Sequence, residues 1–318
     1  MTQPRIYVSI AAFRDPECQH TVCDLFIKAS YPERIFVGIC WQADRELDKD
    51  CFVSQPRYPN NLRNLIYKPE ESKGGCWARA EALSMWQGEE YILQIDAHMR
   101  FVPGWDVLMI DALERCPTKP SVISTMPPNY DPPNKLQDCS HGISLAHVKK
   151  LGTQDELQPL HIGGHFRPVH LTNNKPVLGA FFIGNFMFAP AEAIQQVPFD
   201  PHIYFRGQEL VYSARLWTHG WDIYQPDRVV IHHYWGSVSR PMPGGKAHYK
   251  DRSEDALTAR KRVRHLLRIE TTEDEAALVD IAKYSMGSKR SLEAYWKFAG
   301  INLKTGQVEN KARRVEWK

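Results

Sequence analysis

The stretch Tyr91-Ile92-Leu93-Gln94-Ile95-Asp96-Ala97-His98-Met99-Arg100-Phe101 constrains this chain more than any other: a β-prone apolar run that ends abruptly in an acid and a histidine. A run this apolar reads as a strand buried on both faces of a parallel sheet, and such sheets bind their ligands beyond the carboxyl ends of the strands. Asp96 and His98 therefore stand at the expected mouth. Residues two apart on an extended chain point the same way, so a carboxylate oxygen and an imidazole nitrogen can converge on one divalent cation. Two ligands do not fill a coordination sphere, and a strand-end Asp capping a loop beside an ordinary surface His satisfies the same spacing.

A chain of 318 residues buries a sizeable core as one large α/β domain or as one domain with an appendage. With 43% apolar and 24% charged residues it has the make-up of a soluble globule. A net charge of +3, both signs mixed, argues against nucleic acid or an anionic membrane as the main partner. The cluster Arg260-Lys261-Arg262-Val263-Arg264 reads as one solvated helix face. No segment reaches the 18 apolar residues of a membrane span, and no signal-type apolar core precedes the first strand at Ile6. The seven cysteines, at 18, 23, 40, 51, 76, 116 and 139, form no Cys-x-x-Cys pair, so they read as reduced thiols of a cytoplasmic protein and not as a zinc site.

Strand and helix periods alternate along the first 125 residues. Ile6 to Ile10 is strand-like, Glu17 to Ala29 helical, and Arg34 to Cys40 a second apolar strand. A short strand near Leu65-Ile66-Tyr67, a helix from Trp77 to Trp86 opened by Gly74-Gly75, the Asp96 strand, a helix from Trp105 to Leu113 and a strand at Ser121-Val122-Ile123-Ser124 follow. Such alternation predicts an open, mostly parallel α/β sheet.

From Pro127 to Pro176 the periods fade, which predicts long functional loops or weakly paired strands. His161, His165 and His170 fall there at spacings that match no standard zinc site. Order returns with Leu178 to Ala189, where Gly179, Ala180 and Gly184 are set among aromatics, as close packing or a ligand's approach requires. Glu209 falls at an expected helix start, where the helix dipole stabilises a carboxylate that can accept a hydrogen bond from a hydroxyl. Val229-Val230-Ile231-His232-His233-Tyr234 is another apolar strand ending in histidine. Brought beside Asp96 and His98, it would complete a three-residue metal site with open positions.

Taken in order, Ile6 to Pro16, Arg79 in Trp77-Ala78-Arg79-Ala80, Gln94 to Phe101, Gly207-Gln208-Glu209 with Arg215-Leu216-Trp217-Thr218, and then His232 resemble the GT-A glycosyltransferases. The likeness is to cytoplasmic N-acetylglucosaminyltransferases that modify a hydroxyproline of a ubiquitin-ligase adaptor and, more distantly, to polypeptide N-acetylgalactosaminyltransferases. It covers residues 5 to 235, with a fainter match at Gly287 to Glu293. The resemblance implies a GT-A type α/β fold: an open, mixed, mostly parallel sheet flanked by helices. Residues 1–250 would form the transferase domain, with 1–125 as nucleotide-binding half and 126–250 as acceptor-side half. Residues 251–318 would be a helical appendage, for which Ala256 to Leu267 and Glu273 to Ala282 are amphipathic candidates.

The resemblance also assigns roles. Asp96, His98 and His232 would hold a divalent cation, Mn2+ or else Mg2+, against the diphosphate of a UDP-sugar. His233 is the alternative to His232, which counting back from Trp217 and Pro226 favours. Ser9 to Asp15, with Phe13 and Arg14 among them, would line the uridine pocket with Arg79 nearby, and Gly179 and Ala180 would approach the donor sugar. Glu209 and Asp96 would serve catalysis in a retaining, front-face reaction that needs no protein nucleophile. One departure stands out: the nearer relatives carry two consecutive acids after the glycine, whereas Gln208 here precedes Glu209 and takes the place of the distant relatives' acid. The expected activity is transfer of GlcNAc from a UDP-sugar to a hydroxyl of a protein or glycan. A polysaccharide-building transferase using another UDP-hexose, or a nucleotide-sugar- or glycan-binding protein with little turnover, is the alternative.

Overall fold

A computed structural model describes residues 3–55, 57–140, 142–152, 160–168, 174–236 and 253–317. Its first part is the expected alternation: β1 (Ile6–Phe13), α1 (Glu17–Lys28), β2 (Ile35–Gln42), β3 (Leu62–Tyr67), α2 (Gly75–Ser84), β4 (Tyr91–Asp96), β5 (Met99–Phe101), α3 (Trp105–Glu114) and β6 (Ser121–Ile123). β1 lies parallel between β2 and β4, and β3 extends the sheet beyond β2. Both faces of β1 are covered, which is why its residues form one apolar run. Ile6, Val8 and Ile10 share a core with Leu25 and Phe26 of α1, while the Tyr7 hydroxyl donates to the Ala82 carbonyl under α2 (2.5 Å). Each such fully buried aliphatic contributes roughly 1.5–3 kcal/mol. In α1 the residues Cys18, Val22, Leu25 and Phe26 repeat at helical spacing and bury one face; the helix ends where Ala29 turns extended, ahead of Pro32.

The second part is antiparallel in character. Two-residue strands β7 (Tyr130–Asp131) and β8 (Lys135–Leu136) precede a long ladder of β9 (Gly142–Leu151) and β10 (Leu160–Pro168) with an irregularity at His161 and Ile162, so this stretch holds paired strands as well as loops. His170 lies outside the described residues. Then come β11 (Val177–Gly179), β12 (Phe186–Pro190), α4 (Glu192–Gln196), α5 (Gln208–Thr218), β13 (Asp222–Gln225) and β14 (Ile231–His233). The eight-stranded sheet runs β11-β13-β6-β12-β4-β1-β2-β3. β12 is antiparallel to both β4 and β6, and β11 to β13, which makes the sheet mixed but mostly parallel. The run Leu178 to Ala189 is thus two strands, broken by a crossing segment whose amides are satisfied by side chains: Phe182 N–H donates to Ser213 Oγ and Ile183 N–H to Ser124 Oγ, each 2.8 Å. β14 is not a strand of the main sheet. It pairs antiparallel with β5, setting His232 opposite Arg100 and His233 opposite Met99.

The C-terminal residues form α6 (Ser253–Leu266), α7 (Glu275–Leu278), α8 (Leu292–Ala299), β15 (Ile301–Asn302), β16 (Gln307–Val308) and α9 (Asn310–Arg314). Leu266, Leu292, Tyr295 and Trp317 share one core with Leu210 and Val211 of α5 and Leu145 and Val148 of β9. Trp317 meets Phe181 edge-on at 5.7 Å and Phe298 stacks on Trp217 at 4.5 Å, so this aromatic mass is spent on packing. Two expectations are corrected here. The Glu273 to Ala282 helix shrinks to Glu275–Leu278, capped by Asp274. The basic cluster is not one solvated face: Arg262 is fully buried and Arg264 nearly so, because Asp200 and two backbone carbonyls supply partners for the Arg262 guanidinium. All seven cysteines are free thiols, and among the described residues no helix is long and apolar enough to cross a membrane.

Candidate active site

Ala11 of β1 pairs with Asp96, the last residue of β4, and β1 continues through Phe13, so its end overhangs the end of β4. Asp96, His98 and His233 meet beneath this overhang, with one donor atom from each lying within 4.8 Å of the others. His233 Nε2 is 3.4 Å from Asp96 Oδ2, and the His98 and His233 rings are 4.7 Å apart. His232, counted from the sequence as the third member, is not part of this group. Successive residues of a strand face opposite ways, and β14 turns His232 into a buried place beside the Gln137 backbone, where Lys28 and Asp24 act on it.

Charge at the centre is set by close partners. Burial works against ionisation of Asp96, but the hydrogen bond from His233 and the charges of Arg79, His233 and His98 outweigh it and hold the carboxyl far below the usual carboxylate range. Burial likewise opposes the charged form of His98; its contact with Asp15 (Nδ1 to Oδ2, 2.7 Å) more than offsets this and raises its pKa. For His233 burial prevails and the pKa falls. One carboxylate and two imidazoles are a donor set suited to a first-row divalent cation, and His98 has the carboxylate behind it that ligating histidines commonly use.

Arg79 binds this centre to α5. Its Nη2 donates to Asp96 Oδ1 (2.8 Å) and its Nη1 to Gln208 Oε1 (2.5 Å). An acid in place of Gln208 would neutralise the guanidinium; the amide leaves that charge to Asp96. Glu209 accepts from the Gly184 amide (2.9 Å), and burial pushes its carboxyl up against the opposing pull of that amide and of Arg79. Gly184 lies so close that an added Cβ would stand 3.2 Å from Arg79 Nη1. Several buried polar atoms around this group have no protein partner: Ser9 Oγ, Gln94 Oε1, Asn185 Oδ1, Gln208 Nε2 and Arg79 Nε. Such orphans are rare in interiors and suit a polar ligand.

The remaining expected residues divide. Ser9 lies buried opposite Gln94, and half-buried Phe13 ends β1 opposite Gln42. Arg14 is turned to Asp48, gripping both carboxylate oxygens at 2.9–3.0 Å. Gly179 stands on edge strand β11 against Gln225, and the Ala180 carbonyl accepts from Tyr295; the glycine that meets the Arg79 group is Gly184. Sequence reasoning placed Asp15 only in the uridine-lining loop and Gly184 only in the small-residue run, and left without a role Asn185 and half-exposed Trp235, whose ring lies 4.2 Å from that of His233. An acid beside the first strand end and a Gly-Asn pair inside an aromatic run were the available signals.

The mixed sheet, with its acid and histidines at the carboxyl end of the central strand, is that of a GT-A type glycosyltransferase. The chain belongs to the family described as Glycosyltransferase (GlcNAc), whose model matches residues 5–64 and 53–305. Among solved structures it is similar to GalNAc-T7 with UDP, GalNAc and Mn2+ (TM-score 0.62, 12% identity, 88% of this chain and 54% of that one), so it spans about half the length of that relative. It is also matched by Staphylococcus aureus TarS residues 1–349 in complex with UDP-GlcNAc, at a TM-score of 0.47 and 12% identity over 96% of this chain and 77% of that one. No curated protein sequence matches significantly.

Proposed function

We propose that the chain transfers GlcNAc from UDP-GlcNAc to a hydroxyl of a protein or glycan acceptor, with retention of configuration, in a cation-dependent reaction. The observation that carries this reading is the convergence of Asp96, His98 and His233 at the end of β4 in a member of a GlcNAc transferase family. The GalNAc-T7 structure, which holds UDP and Mn2+, supports both the donor class and manganese as the cation. These three residues would hold the ion, and when bound it would offset charge on the departing diphosphate.

The protein's own groups have complementary tasks. Arg79 keeps Asp96 ionised and brings a second positive charge to the diphosphate side. Glu209, with one oxygen fixed by Gly184, orients the acceptor hydroxyl or the sugar. Ser9, Gln94 and Asn185 offer buried polar atoms to the nucleotide-sugar. The free thiols support a reducing, cytoplasmic setting.

Release of UDP from a panel of UDP-sugars, with manganese added or chelated, tests this. UDP-GlcNAc is expected to be turned over with manganese and not with chelator, and Asp96→Ala and His233→Ala to lose turnover while His232→Ala retains most of it. Tight UDP binding without release from any donor, even with candidate acceptors present, would favour a binding protein. Equal activity of His233→Ala and the natural chain would remove His233 from the metal group.

A further inference from the structure

Asp15 is almost fully buried, at 1% exposure, directly behind His98. Its two oxygens have separate duties: Oδ2 meets His98 Nδ1 at 2.7 Å and Oδ1 accepts the Glu17 amide at 2.9 Å as α1 begins. The residue before it is held as firmly. Arg14 has a left-handed backbone (φ 47°), uncommon for an arginine, and it stays there because its amide donates to the Gln42 carbonyl (3.1 Å) and its guanidinium grips Asp48. Asp48 is fully buried and also accepts the Asp44 amide at 3.0 Å. A chain of fixed contacts thus runs from Asp48 through Arg14 to Asp15 and ends on an imidazole.

We propose that Asp15 is a positioning residue that holds His98 with its proton on Nδ1, so that the Nε2 lone pair is presented to the same cation as Asp96 and His233. A neutral imidazole carries one proton; a carboxylate has only acceptors and therefore fixes that proton on the nitrogen facing it. Without Asp15, the ring is free to rotate and to place its proton on Nε2, where it blocks ligation. Outer carboxylates of this kind commonly change metal affinity 10–100-fold. The proposal rests on the cation-dependent reading above, and the test separates the two.

The full-length chain, labelled with 15N in histidine, is compared with Asp15→Ala and the near-isosteric Asp15→Asn. His98 resonances, identified by their loss in His98→Gln, report the tautomer in metal-free protein at a pH where the ring is neutral. Manganese binding in the presence of UDP is followed by electron paramagnetic resonance. The natural chain is expected to show the Nδ1–H form and to bind manganese; the variants are expected to show mixed tautomers and a manganese dissociation constant raised roughly 10–100-fold. Should Asp15→Ala not fold, Asp15→Asn, which keeps the shape, carries the comparison. A folded variant with the natural tautomer and affinity would overturn the role of Asp15 alone. A natural chain that binds no manganese would overturn the metal reading and this proposal with it.

Discussion

Two of the buried arginines, Arg79 at 6% exposure and Arg262 at 0%, lie at nearly the same depth and differ in their partners. Arg262 is closed off. Its Nε donates to the buried Asp200 (2.7 Å), its Nη1 donates to the Ala277 and Val279 carbonyls, and it lies over the Tyr284 ring. These contacts pin α6 to the loop before α5 and to α7. Arg79 shares itself between a neutral amide and Asp96, a carboxylate whose side chain is still 27% exposed, among polar atoms with no protein partner. Depth alone does not separate a fastener from a functional group. Whether the partners face solvent does: the Asp200 side chain is 2% exposed, and each arginine still has one nitrogen, Arg79 Nε and Arg262 Nη2, without a protein partner.

The largest effect that tests this contrast is on stability. Arg262→Ala leaves Asp200 as an unpaired buried charge and should cost about 3–5 kcal/mol, lowering the thermal midpoint on the order of 5–10 °C. Replacing both partners, as in Arg262→Met with Asp200→Leu, should recover part of that loss in the same unfolding scan. Arg79→Met should behave the other way: UDP release falls about 100-fold, equivalent to about 2.7 kcal/mol, while the thermal midpoint moves less than in Arg262→Ala. If Arg79→Met instead lowers the thermal midpoint as much as Arg262→Ala and leaves turnover of the folded protein intact, the contrast is broken. The smallest effect is expected from Gln208→Glu, where the new carboxylate competes with Asp96 for Arg79. Turnover should drop several-fold with little change in stability, read from steady-state rates beside a melting curve.

The sequence showed the parts of the molecule that local rules govern. β1, β2 and β4 are legible because burial on both faces makes them continuous apolar runs, and α1 because Cys18, Val22, Leu25 and Phe26 repeat at helical spacing. The nearness of Asp96 and His98 was also legible from their spacing of two, although residues 97 and 98 form a bend between β4 and β5 and not a continued strand. Illegible were features set by distant partners. Arg262 looks like a solvated helix residue until Asp200, 62 positions away, is seen to cover it. The run Leu178 to Ala189 has the composition of one strand, and only the hydroxyls of Ser124 and Ser213 reveal why it breaks. That His233 and not His232 lies beside Asp96 is set by the register of β14 on β5, which local sequence does not reveal. Asp15, expected in the uridine-lining loop, is found behind His98, a contact between residues 83 positions apart.

That register has a further consequence. Because neighbours on a strand face opposite ways, a slip of β14 by one residue along β5 would bring either His232 or Tyr234 opposite Met99 in place of His233, depending on its direction. An insertion of one residue in the preceding turn would therefore still present an imidazole beside Asp96 and His98, whereas a deletion would present the Tyr234 phenol, and either would disturb the packing of Val230 and Ile231. The imidazole at this strand end is thus buffered against lengthening of the turn and not against its shortening.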